Sequence, residues 1–142
     1  MERIKHVDFD RYTHFVDAVT STPSKDFKSL VDRLGELDRE GANIERLTTA
    51  GVGINAEGGE FLEIIKKMVF QGKPWNEDNR EHLIIELGDI MWYVAQACMA
   101  LEVSFDDVIA TNVKKLEKRY PEGRLMFTFL RIGKQEIAKI NR

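Results

Sequence analysis

A chain of 142 residues is long enough for one domain, which at that size buries roughly 70% of the surface its unfolded form exposes. A net charge of −3 implies no general affinity for nucleic acid, and a single cysteine, Cys98, excludes an intrachain disulfide and a cysteine-based zinc site. Met1–Asp10 is charged and no stretch reaches the roughly 18 apolar residues of a membrane span, so neither signal peptide nor membrane partner is expected. Cys98 falls in an apolar run and reads as a small buried hydrophobe, which fits a reducing, cytoplasmic setting.

Three prolines leave long stretches free to be helical. Phe9, Tyr12, Phe15, Val16 and Val19 recur at helical spacing and predict a first helix over 9–20. The run Thr20-Ser21-Thr22-Pro23-Ser24 breaks it. Ser24 is placed to cap a second helix over about 25–39, whose apolar stripe is Phe27, Leu30, Val31, Leu34 and Leu37, and Gly41 ends it. Three more helix-period segments follow, over about 43–71, 77–101 and 105–119. Ser104 with Asp107 has the pattern of a capping box for the last of these, and Pro121 and Gly123 end it. Leu125–Leu130 reads as a short strand or an extended arm. No repeat, low-complexity tract or linker interrupts the chain, so it reads as one all-α domain over 1–142 with about five helices.

Chemistry concentrates in two acidic steps, Glu57-Gly58-Gly59-Glu60 and Glu86-Leu87-Gly88-Asp89. Acids three residues apart on a helix share a face, and two such helices packed together converge four carboxylates on one point. On the first helix Phe61, Ile64, Ile65 and Met68 form the apolar face. Glu57 falls in the middle of it, Glu60 at its edge, and Glu63 further round, where a supporting or weak ligand role competes with simple solvation. Gly51, Gly53, Gly58 and Gly59 in the same segment predict either a break near 51–53 or a close approach to another helix or a ligand.

The helix over 77–101 is apolar nearly all round, the pattern of a buried central helix. Its polar residues His82, Glu86, Asp89, Tyr93 and Gln96 fall in one narrow stripe, and no Lys or Arg occurs between Arg80 and Lys114. Acids without a basic partner on their own helix point to a cation from elsewhere, the competing reading being salt bridges to Lys66, Lys67 or Lys115. A di-iron bundle site would use Glu-x-x-His pairs, and none occurs. All-oxygen ligation favours Mg²⁺, with Mn²⁺ as substitute, and such sites keep positions open for phosphate oxygens. Asn112, Lys115 and Arg119 share a face of the next helix, with Arg124 just beyond. They are suited to clamp a polyphosphate, although lysines and arginines there are also common on a solvated face.

Taken together, the two acidic steps and the stretch Asn112-x-x-Lys115-Leu116-x-x-Arg119-Tyr120-Pro121-x-Gly123 resemble the MazG-like all-α nucleoside triphosphate pyrophosphohydrolases, over about residues 42–124. Dimeric dUTPases, dCTP pyrophosphatases and phosphoribosyl-ATP pyrophosphohydrolase are relatives. The resemblance implies hydrolysis of a nucleoside triphosphate between its α and β phosphates, as nucleotide-pool housekeeping, by a bundle completed as a homodimer or homotetramer. It implies Glu57, Glu60, Glu86 and Asp89 as metal ligands and catalytic residues. Lys67, Lys115 and Arg119 would meet phosphates, Asn112 and Tyr93 phosphate or sugar, and Trp75 the base. Phosphoribosyl-ATP hydrolysis and a helical regulatory module without turnover stand as alternatives. Residues 1–41 carry no motif of the family. Trp92, opposite the acids, reads as core.

Overall fold

A computed structural model of the chain describes residues 7–120. Five α-helices and a one-turn 3₁₀ segment occupy them, with no strand among the described residues, which is the all-α class expected. The anticipated strand or arm at 125–130 and the helix-ending Pro121 and Gly123 lie outside the described residues. The chain divides into two compact units, one ending at Ile44 and the other beginning at Glu45.

The first unit holds α1 (Phe9–Val19), the 3₁₀ turn Thr22–Ser24 and α2 (Phe27–Arg39). Asp8 caps α1 by accepting from the Arg11 N–H at 3.1 Å. The cap of α2 is Asp26, not Ser24. The 3₁₀ turn holds Ser24, whose hydroxyl lies 2.8 Å from that of Ser21, while the Asp26 carboxylate accepts from the Ser29 N–H at 2.7 Å. That backbone hydrogen bond holds the Asp26 carboxyl below its ordinary range. Lys25 reaches back to the Asp17 carbonyl at 2.6 Å and its carboxylate at 3.3 Å. Gly41, at φ 94°, closes α2 as the left-handed residue of a turn in which the Ala42 N–H bonds the Leu37 carbonyl. Neither helix buries a residue.

The second unit holds α3 (Ile44–Gln71, starting at the boundary), α4 (Glu77–Ala100) and α5 (Phe105–Arg119). α3 runs unbroken through Gly51, Gly53, Gly58 and Gly59, so of the two readings of these glycines the break does not occur. Instead Gly53 is buried against Tyr93 of α4. Arg46 of α3 donates to the Gln96 side chain of α4 at 2.6 Å. Positions rising along α3 thus meet positions falling along α4, and the two helices form an antiparallel hairpin, as the short connection 72–76 requires. Asn76 caps α4, and the buried Asn79 donates from its side chain to the Pro74 carbonyl at 2.7 Å, which ties the connection down. α5 packs on α4 and starts with the expected capping box of Ser104 and Asp107.

α4 is not the buried helix its composition predicts. It buries Asn79 and Cys98, the latter as expected, while Ile84, Ile85, Leu87, Met91 and Met99 are each about half exposed. Trp92, expected in the core, is 55% exposed. The physical reason is that a helix apolar on every side needs neighbours on every side, and the hairpin and α5 cover only part of it. By length and composition α4 also suffices to cross a membrane, which the sequence reading excluded. Carboxylates at its midpoint, Glu86 and Asp89, would be costly in a bilayer.

Candidate functional site

Both acidic steps lie on regular helix, so Glu57 and Glu60 are one turn apart on α3, and Glu86 and Asp89 one turn apart on α4. The hairpin brings them together. One carboxylate oxygen each from Glu57, Glu60 and Glu86 lies within 4.8 Å of the others. Asp89 is close enough to act on Glu57. Reduced hydration, and then the negative charges of Glu60, Asp89 and Glu86, push the Glu57 carboxyl above its ordinary value. Among the described residues, no Lys or Arg ion-pairs with any of the four, so the salt-bridge reading of these acids is set aside. Glu57 and Glu86 are half-buried, whereas Glu60 and Asp89 are open to solvent. Oxygen donors in this number and spacing fit a hard divalent cation, which would offset the repulsion that adds to the effect of burial on Glu57.

Glu63 is not part of the cluster. It pairs with Lys66 and, at 3.4 Å, with Lys67, and these two cations hold its carboxyl below its ordinary range, the Lys66 hydrogen bond contributing most. Lys67, expected at phosphate, therefore rests on Glu63. Tyr93 is half-buried, its ring on Gly53 and edge-on to Trp92 at 4.8 Å. Trp75, expected to meet a base, projects from the hairpin connection and is 69% exposed. Asn112, Lys115 and Arg119 sit on α5 and are exposed, with the Arg119 guanidinium over the Tyr120 ring at 5.6 Å. No hydrogen bond or ion pair joins these three to the acids among the described residues.

Residues 47–124 match the family model described as the MazG nucleotide pyrophosphohydrolase domain, more than half of the chain. The chain belongs to the MazG nucleotide pyrophosphohydrolase family. The family match spans both acidic steps and the Asn112–Arg119 face of α5, and it leaves α1 and α2 outside. The chain is also similar to the Gene 37 protein of Mycobacterium phage L5, 37% identical over 83 residues, which cover 57% of this chain and 72% of the phage protein. No solved structure matches.

One residue at the site, Asn79, carries no sequence signal, and a second, Gly53, carries an ambiguous one. Asn79 anchors the connection that carries Trp75, and nothing in its local pattern marks it as buried. Gly53 was one of four glycines with two possible meanings. Of these four only Gly53 has any neighbour within 4 Å of where a side chain would begin.

Proposed function

We propose that this chain is an enzyme that hydrolyses nucleoside triphosphates between the α and β phosphates, releasing nucleoside monophosphate and pyrophosphate in nucleotide-pool housekeeping. The observation that carries this reading is the convergence of Glu57, Glu60 and Glu86, with Asp89 beside them and, among the described residues, no Lys or Arg ion-paired to any of them. Glu57, Glu60, Glu86 and Asp89 would hold Mg²⁺, with Mn²⁺ as substitute. When bound, the cation supplies polarisation of phosphate oxygens and neutralisation of the charge that develops on them.

The protein's own part is positioning and proton transfer. Water oxygen forms the new bond to phosphorus, the bridging P–O bond breaks toward pyrophosphate, and the water's proton passes to a free carboxylate oxygen of Glu57 or Glu60. Lys115 and Arg119 hold phosphate oxygens, joined by Lys67 once it leaves Glu63, and Asn112 and the Tyr93 hydroxyl hold phosphate or sugar. Trp75 offers a flat face for the base. We further propose that two or four copies assemble in the cytoplasm, covering the exposed apolar surface of α4.

A pyrophosphate-release screen over canonical and damaged triphosphates, with phosphoribosyl-ATP beside them and with or without Mg²⁺, tests the activity and finds its substrate. Glu60→Gln and Asp89→Asn should keep the fold and lose release. If both variants turn over the panel as fast as wild type, the assignment of the acids fails.

A further inference from the structure

α3 and α4 are in close contact beside the acids. Gly53 is buried, and a Cβ built on it would overlap Cδ1, Cε1 and Cγ of the Tyr93 ring, so that side of the ring lies directly on the α3 backbone. Gly51, Gly58 and Gly59 meet nothing within 4 Å, so close approach is needed at Gly53 alone among the glycines of this helix. From Gly53 the same face of α3 leads to Glu57 one turn on and Glu60 two turns on. From Tyr93 the same face of α4 leads back to Asp89 and then Glu86. Because the hairpin is antiparallel, the contact and the two acid pairs lie along one seam. On the other side of the contact, Arg46 and Gln96 close the seam with their 2.6 Å hydrogen bond.

A seam held at Gly53–Tyr93 has a fixed separation one turn away, where the carboxylate oxygens must stay within a few ångströms of each other despite their repulsion. We propose that the seating of Tyr93 on Gly53 is the positioning contact that sets the distance between the two acid pairs, so that both residues govern divalent-metal affinity without touching the metal. Gly53 serves because any side chain would lift the ring and part the helices. Tyr93 serves through its ring, while its hydroxyl, which bonds to no described residue, stays available to substrate. The inference rests on the reading of the acids as a metal site.

The test is a Mn²⁺ titration of the full chain, followed by the EPR signal of free Mn²⁺, with helicity checked by circular dichroism. Tyr93→Phe keeps the ring and should bind within about twofold of wild type, whereas Gly53→Ala and Tyr93→Ala should each bind about 10–100-fold more weakly. The double variant Gly53→Ala/Tyr93→Ala should be no weaker than the poorer single variant, because both changes act on one contact. Gly53→Ala at wild-type helicity and wild-type affinity overturns the proposal, as does a double variant whose loss is the product of the two single losses. Should Gly53→Ala not fold, the Tyr93 pair decides: weaker binding by Tyr93→Ala than by Tyr93→Phe supports the proposal, and equal binding overturns it. Wild type that binds no Mn²⁺ overturns the metal reading itself, a result distinct from wild type and Gly53→Ala binding equally well.

Discussion

Replacing Glu57 by Gln should stabilise the metal-free protein and abolish most of its stabilisation by metal. The substitution preserves shape and removes one of the charges packed within 4.8 Å of each other. The sign follows from the raised Glu57 carboxyl. Its ordinary value is 4.5, and the folded state holds the proton above that pH while the unfolded chain releases it. Stability is therefore lost as pH rises from 4.5 through the folded-state value, and at pH 8 the ionised group opposes folding in full. The glutamine variant escapes this loss, so in EDTA at pH 8 it should melt above wild type, with the gap closing as pH falls toward 4.5. Metal reverses the ranking. At a concentration a hundred times the dissociation constant, metal adds about 2.7 kcal/mol to wild type. In a chain of this length that is roughly 10 °C in melting temperature. If the variant binds about a hundredfold more weakly, the same metal concentration adds about one degree. Thermal melts by circular dichroism, in EDTA and in Mn²⁺ or Mg²⁺, read both halves. A variant that melts below wild type in EDTA and keeps the full metal shift would refute the charge-cluster argument.

Glu63→Ala should leave Mn²⁺ affinity within about twofold of wild type in the same titration, because Lys66 and Lys67 already engage its carboxylate outside the cluster. A loss as large as that of Glu57→Gln would restore Glu63 as a ligand. Trp75→Ala should raise the KM for the preferred triphosphate about tenfold, the scale of one base–aromatic stack, with the fold intact. Steady-state pyrophosphate release measures it. Glu102 occupies the left-handed turn that ends α4, at φ 53°, where the Val103 N–H bonds the Cys98 carbonyl. Glu102→Gly relieves that backbone and should raise stability by about 0.5–1 kcal/mol, read as a higher urea midpoint with an unchanged m-value.

The helices were legible because their signals are local. Apolar spacing, Gly41 and the Ser104–Asp107 pair mark ends that depend on neighbours within one turn. The one misplaced cap has a local cause too: Ser24 and Asp26 are both good cap residues, and Pro23 draws Ser24 into a 3₁₀ turn before α2 begins. The four acids were legible because a carboxylate on an apolar face demands an explanation. What spacing could not tell was which of two helix faces meets which neighbour. Hence spacing alone leaves Gly53 as a break or a contact, shows nothing of the Glu63 partner on which Lys67 rests, and gives Asn79 no mark of burial.

The exposed surface of α4 belongs to the same argument as the acids. Ile84, Ile85, Leu87, Met91 and Trp92 alternate along the chain with Glu86 and Asp89, so apolar and acidic positions are interleaved on one helix rather than split between two regions. A neighbour that covers Ile85, one turn from Asp89 on the same side of the helix, removes water from around that acid. Removing water strengthens every charge interaction at the cluster: repulsion among the bare carboxylates grows, and so does their attraction for a divalent cation. In the oligomer proposed above, assembly and metal binding would then favour each other. The metal relieves a repulsion that assembly sharpens, and assembly dries a site that the metal neutralises. On that account the helix is apolar on every side not because it lies at the centre of one chain but because its acids work best where several surfaces close on them.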